Sequence, residues 1–227
     1  MLGLYNEVLQ PLPTTCGQMK DLFGEEIIEQ PRKKDWTGNQ RSVFSVIGAS
    51  NHSLTERAHR DFYATPELAV RLLLQNEIFS KNILEPCCGM GHISKVFEEY
   101  GFNVDSRDIE DRGFGRGGMD FLKCGEKNLD VDIVTNPPYS LAQEFVEKSL
   151  EVIGEGHKVA MFLKLTFLEG KNRRVMFEKY PPKVVYVSSS RLTCGKNGVE
   201  WLPSCICYAW FVWYKGFQGN PIIKWFN

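Results

Sequence analysis

From about residue 61 the chain switches between two hydrophobic periods. Leu68, Leu72 and Leu73, and later Ile93, Val96, Phe97 and Tyr100, recur at helical spacing and predict two amphipathic helices. Short apolar runs bounded by turn residues lie between and after them. Ile83-Leu84, residues 131–135, 158–165 and 184–187, and the aromatic run 205–214 each predict a buried strand. Asn103-Val104 leads toward Asp108 as a further strand. Thr65-Pro66-Glu67 predicts a helix start: a capping hydroxyl, proline at the first helical position, and an acid in the first turn. Ser140-Leu141-Ala142-Gln143 has capping-box spacing and predicts another. Strands alternating with helices predict an α/β domain, a parallel sheet with helices on both faces. No helical pattern separates residues 184–187 from 205–214, so that pair is expected to run antiparallel.

Before residue 61 the periodicity fails. Pro11, Pro13 and Pro31 interrupt it, residues 42–47 alternate like a strand, and residues 48–53 have loop chemistry. The expectation is an N-terminal extension, residues 1–60, packed on a main domain at residues 61–227.

Composition adds limits. Apolar residues make up 43% and charged residues 24%, enough for an ordinary core. No apolar run approaches the ~20 residues that span a bilayer, and the start lacks the basic and apolar regions of a signal peptide. The seven cysteines are irregularly spaced with no Cys-x-x-Cys pair, so they are read as reduced thiols in a cytoplasmic protein with no metal site. Charge is uneven. Residues 1–150 carry 16 Lys/Arg against 23 Asp/Glu, and residues 151–227 carry 11 against 5. The basic third holds the candidates for phosphate contact: Lys171, Arg173, Arg174, Arg191 and Lys196. Lys164 is read as a snorkelling lysine, and Trp201, Trp210 and Trp213 as core residues.

Chemistry concentrates at two predicted strand ends, where open α/β sheets bind ligands. The first is Glu85-Pro86-Cys87-Cys88-Gly89-Met90-Gly91. Gly89 and Gly91 allow a ligand close to the backbone. The third glycine of a dinucleotide fingerprint is missing, and no Lys-Ser/Thr follows for a phosphate loop. An acid, Glu85, stands at the strand end instead and suits a ligand with a free ammonium group. Asp108, ~20 residues on, is where an acid can bind both ribose hydroxyls, with Asp105 and Asp111 as competitors. Asp120 is placed to accept from an adenine amine. An acidic site that reads ribose and adenine fits S-adenosylmethionine.

The second is Asn136-Pro137-Pro138-Tyr139. An exocyclic amine is a poor nucleophile because its lone pair is delocalised. The Asn136 side-chain oxygen and the Pro137 carbonyl can accept both of its hydrogens and draw the nitrogen toward sp³. Consecutive prolines fix the backbone and remove competing N–H donors. Tyr139 offers a stacking face worth ~1–3 kcal/mol. Such catalysis is orientation plus electrostatics, with no covalent intermediate. Pro86-Cys87 lies in the glycine turn and is not read as a cytosine-type nucleophile.

These segments, with Asp61-Phe62-Tyr63-Ala64-Thr65-Pro66, come in an order that resembles the amino-methyltransferases, in particular small DNA adenine-N6 methyltransferases of phage type. The similarity runs from about residue 61 to 215. It implies a Rossmann-like class I methyltransferase fold, with a mostly parallel seven-stranded sheet and an antiparallel last strand. It implies that Phe62, Tyr63 and Thr65 cover S-adenosylmethionine and that Glu85, Pro86, Cys87, Gly89 and Gly91 bind its methionine part. Asn136, Pro137, Pro138 and Tyr139 would hold an adenine flipped out of duplex DNA. RNA adenine, guanine-N2 and protein glutamine methyltransferases share the motif and are the alternatives within methyl transfer. A scaffold that has lost catalysis is the alternative of another class. One departure stands out: there is no long target-recognition region. Recognition would come from residues 1–60, from Lys171-Asn172-Arg173-Arg174, from residues 188–199, or from a second subunit, identical or not.

Overall fold

The computed structural model describes residues 62–196 and 206–226. The expected N-terminal extension and Trp201 lie outside the described residues. A two-residue strand, β1 (Tyr63–Ala64), precedes helix α1 (Glu67–Asn76). The central order is then β2 (Asn82–Glu85), α2 (His92–Glu99), β3 (Asn103–Ser106), β4 (Asp132–Thr135), α3 (Ala142–Val152) and β5 (Lys158–Lys164). Helix α4 (Arg174–Lys179), β6 (Val184–Val187), β7 (Gly195–Lys196), β8 (Tyr208–Tyr214) and β9 (Ile222–Trp225) complete it.

Seven strands form one sheet in the order β3-β2-β4-β5-β8-β6-β9. Strands β3, β2, β4 and β5 are mutually parallel. Strand β8 inserts antiparallel between β5 and β6, which is the antiparallel pairing expected of the aromatic run. The chain then adds β9, parallel to β6 at the sheet edge, which the hydrophobic pattern did not reveal. All four β9 side chains are exposed, so no buried face left its mark on the sequence.

Each face of the sheet carries its own core. Alternating side chains send Val134, Ala160, Phe162 and Trp210 against Ala69, Val70 and Leu73 of α1 and Ile93, Val96 and Phe97 of α2. Their neighbours Ile133, Val159, Met161, Leu163 and Trp213 meet Phe145, Val146 and Leu150 of α3. Trp210 and Trp213 are buried, and each indole N–H is satisfied: Trp210 donates to the Ala69 carbonyl at 2.8 Å, Trp213 to that of Tyr180 at 3.0 Å. Burying an aromatic or aliphatic side chain of this size contributes on the order of 1.5–3 kcal/mol.

Two capping expectations need correction. Pro66, not Thr65, is the N-cap of α1, and no side chain caps it. The Thr65 hydroxyl faces the other way and accepts from Asn136. Ser140 likewise caps nothing: Tyr139–Leu141 form a 3₁₀ turn and α3 begins one residue later, at Ala142. Thr65 precedes Pro66, which biases it to an extended backbone instead of a capping position.

Candidate active site

Strands β2 and β4 are neighbours, yet the chain leaves them in opposite directions, to β3 on one side and to β5 on the other. A crevice must form beyond the carboxyl ends of such a pair. A cavity of about 430 Å³ lies there, within the range of small-molecule sites. Its walls include Glu85, Pro86 and Cys87 after β2, Asp108 after β3, Asp120, and Asn136 and Pro138 after β4. Phe62, Tyr63 and Thr65 close it from the β1 side. The two strand-end segments therefore share one cavity.

Glu85 is buried at the end of β2. One carboxyl oxygen accepts from the Ser94 backbone N–H at 2.9 Å and from the Ser94 hydroxyl. Ser94 in turn lies 2.6 Å from the Ser106 hydroxyl. Burial pushes the Glu85 carboxyl up to about 8, against the pull of the Ser94 donors, and the nearby acids Asp108 and Glu98 push the same way. A carboxyl so placed ionises readily only when a cation joins it.

Asp108 is the one acid of the trio Asp105, Asp108 and Asp111 that lines the cavity. It accepts from the Gly89 N–H at 2.8 Å and the Glu110 N–H at 2.9 Å, and pairs with Arg112 at 3.1 Å. The glycine turn is thus latched to the end of β3. Burial raises its carboxyl, opposed by Gly89 and Arg112. Asp105 is taken by Arg107 at 2.6 Å and Arg116 at 2.5 Å, and Asp111 is exposed and accepts from Gly113. Asp120 reaches the cavity while capping a 3₁₀ turn and pairing with Lys123 at 2.8 Å, which holds its carboxyl low.

Gly89 and Gly91 both have positive φ, +55° and +82°. A side chain at Gly89 would collide with the Phe62 ring, and one at Gly91 with the Phe114 ring. The glycines admit two aromatic covers as well as any ligand. Arg112 sits over the other wall of this arrangement, 4.6 Å from the Phe62 ring centre. Ser94 and Arg112 were not found by sequence reasoning. Neither is in a motif, and each acts by contact with an acid that is.

Asn136 is the most informative side chain. Its Nδ2 donates to the Tyr63 carbonyl at 2.6 Å and to the Thr65 hydroxyl at 3.0 Å. A backbone carbonyl can only accept, so the group facing it is the NH₂ and not the oxygen. Both amide hydrogens are spent on the β1 segment, and Oδ1 is left as an acceptor. Pro137 is buried and is not among the cavity's lining residues. Tyr139 does not line the cavity. Its ring is stacked with Tyr63, with centroids 5.8 Å apart and planes at 26°, and its hydroxyl lies 3.9 Å from Cys194 Sγ. Lys164 does not simply reach for solvent: its ammonium stands 4.9 Å from the centre of the Tyr139 ring.

The β1 segment is itself held by β7, with Tyr63 opposite Lys196 and Ala64 opposite Gly195. Lys196 thus enters the β1 segment's support through its backbone. Arg173 is engaged by its own loop. Its guanidinium donates to the carbonyls of Phe167 at 2.8 Å, Thr166 at 3.2 Å and Glu169, and it covers the Phe167 ring. Those bonds fasten the loop after β5, because a 3₁₀ turn leaves carbonyls without partners. Arg174 pairs with Glu178 at 2.8 Å. Lys171, in a 3₁₀ turn after β5, and Arg191, in the loop after β6, are exposed.

No family model matches the chain, and no curated protein sequence matches it. Solved structures share its architecture. A candidate RNA methyltransferase from Pyrococcus horikoshii gives a TM-score of 0.53 at 14% identity, over 79% of this chain and 100% of that one. The modification subunit of a candidate type I restriction enzyme from Vibrio vulnificus gives 0.51 at 14%, over 82% of this chain and 49% of that one, so the chain spans about half of that subunit. An O-methyltransferase candidate from Agrobacterium tumefaciens gives 0.51 at 9%, over 70% and 85%. At these identities the likeness establishes the fold: a Rossmann-like sheet of the class I methyltransferase kind, mostly parallel with one antiparallel strand.

Proposed function

We propose that this protein transfers a methyl group from S-adenosylmethionine to the N6 amine of adenine in DNA. One observation carries the reading. A single cavity joins an acidic glycine turn to an asparagine whose amide hydrogens are both engaged and whose oxygen is not.

The residues present fit S-adenosylmethionine by their donor chemistry. Glu85 is a buried carboxyl with no cationic partner among the described residues and suits the ligand's ammonium group. Asp108 suits a ribose diol and Asp120 an adenine amine. Phe62, beside Gly89, supplies an apolar cover. The ligand brings an electrophilic methyl group on a sulfonium.

The chain supplies orientation and acceptors. Asn136 Oδ1 and the Pro137 carbonyl accept the two hydrogens of a planar amine, which withdraws its lone pair from the ring. As the nitrogen gains positive charge, both oxygens stabilise it in place, without reorganisation. Burial pushes the Cys87 thiol well above its ordinary value, which suits a cavity wall and not a nucleophile. Lys171 and Arg191 are the proposed phosphate contacts. The acceptor being DNA is supported by the family resemblance of residues 61–139 and by a basic carboxyl third. Target recognition would come from residues 1–60, from the loops that carry Lys171 and Arg191, or from a homodimer or specificity subunit.

The test is product analysis. Purified protein with labelled S-adenosylmethionine is offered unmethylated genomic DNA, total RNA and a protein extract, and the products are digested. N6-methyladenine from DNA is the expected product. Label in RNA or protein alone would discard the DNA assignment. Asn136→Ala should reduce transfer by about 10³-fold or more while cofactor affinity, read by calorimetry, stays within about twofold.

A further inference from the structure

The β1 segment divides its side chains between the two halves of the cavity. In an extended chain, consecutive residues point to opposite sides. Phe62 lies against Gly89, in the glycine-turn half. Tyr63 points the other way, to Tyr139, and Thr65, two residues on, reaches Asn136. Tyr63 and Thr65 therefore belong to the amine-acceptor half, apart from the cofactor cover in which sequence reasoning grouped them.

We propose that the phenol ring of Tyr63 stands in the place of the acceptor base on Tyr139, and that base and phenol exchange when substrate binds. The site thereby selects a planar ring, a nucleobase, over the side-chain amide of a protein. This inference rests on the methyl-transfer reading and names the class of acceptor within it.

Three observations carry it. Tyr63 lines the cavity and Tyr139 does not, although the two rings are stacked, so the phenol is interposed between Tyr139 and the open space. The rest of the Tyr139 surroundings is filled by Tyr208, 5.9 Å away centre to centre, by the Lys164 ammonium and by Cys194 at the hydroxyl. The Tyr63 backbone is fixed, paired with Lys196 and bonded through its carbonyl to Asn136. The ring can turn about its own side-chain bonds without disturbing that carbonyl or the free Asn136 oxygen. Replacing one ring by another returns the stacking on Tyr139. A glutamine amide would displace the phenol and return none.

The test uses the full chain, with heat-denatured unmethylated genomic DNA and a glutamine-containing peptide as acceptors, for wild type, Tyr63→Ala, Tyr63→Phe and Tyr63→Trp. The apparent KM for DNA should fall by about threefold or more in Tyr63→Ala, stay within about twofold in Tyr63→Phe, and rise in Tyr63→Trp. Cofactor Kd should stay within about twofold throughout. The Phe and Trp variants keep an aromatic in the slot, so the comparison survives misfolding of the Ala variant. A DNA KM indifferent to all three substitutions overturns the exchange while wild-type transfer to DNA keeps the methyl-transfer reading intact. So does a large loss of cofactor affinity with DNA KM unmoved. Transfer to the peptide and not to DNA overturns the exchange and the nucleobase acceptor together.

Discussion

The two ends of the sheet treat buried charge in opposite ways. At the amino ends of β4 and β5, the buried Lys158, Glu77 and Asp132 are each met by partners. The Lys158 ammonium donates to Glu77 at 3.0 Å, to the Tyr214 hydroxyl at 2.7 Å and to the Ile78 carbonyl at 2.6 Å. Burial raises the Glu77 carboxyl, and donors from Tyr186, Lys158 and Tyr214 outweigh it and hold it low. Asp132 accepts from the Ser80 N–H at 2.6 Å and the Lys158 N–H at 3.0 Å, with His157 at 3.0 Å. At the carboxyl ends, Glu85 is as deeply buried but has hydroxyl and amide donors for partners and acids for neighbours. The Arg112 guanidinium, on the same cavity wall, goes to Asp108. A closed network contributes rigidity. An acid left without its cation marks where a positively charged ligand has most to gain.

Breaking the closed end should give the largest effect. Lys158→Met strands the Glu77 carboxylate in the core and should cost about 3–5 kcal/mol of stability, read as a lower urea midpoint. Methyl transfer per folded molecule should not change. Next comes the open end. Glu85→Gln should weaken cofactor binding about tenfold, the scale of a hydrogen bond to a charged group. It should also remove a pH dependence. The Glu85 carboxyl is raised in the folded chain to about 8, so the folded chain keeps a proton that the unfolded chain gives up. Its contribution to stability is full below the ordinary carboxylate range and is lost as pH climbs toward that value. Without cofactor, wild type should lose stability between about pH 5 and pH 9, and Glu85→Gln should lose less. An identical pH profile for both would erase the contrast between the two ends. The smallest effect sharpens the acceptor half. Thr65→Val removes one acceptor from the Asn136 amide and should lower kcat about fivefold with cofactor Kd unmoved, and Thr65→Ser should restore it.

The sequence revealed the open end better than the closed one. Glu85, Asp108 and Asn136 stand at strand ends that apolar runs announce, and the glycines between them need a ligand or a ring close to the backbone. The Lys158–Glu77 pair left no such mark, because its members come from the start of β5 and the end of α1, and only folding brings them together. Strand β1 was hidden for a related reason. Two residues show no alternation, and their partner strand is distant in sequence. Thr65 was misread because a hydroxyl before a proline and an acid fits a helix cap, and nothing local discloses that Asn136 competes for it. The loop contacts of Arg173 were equally hidden, because charge alone does not disclose a cation folded onto its own loop.

The ladder between Tyr63–Ala64 and Gly195–Lys196 ties an early segment of the domain to a late one. On the ribosome, Asn136 therefore emerges well before the residues that brace its β1 anchor. Long-range pairings of this kind form slowly, after closure entropy has been met. A growing chain can assemble β2 to β5 and their helices while its acceptor half stays unfinished. Competence for the proposed transfer should then arrive in one late step, with the docking of the last strands, and nascent or truncated chains should be inert.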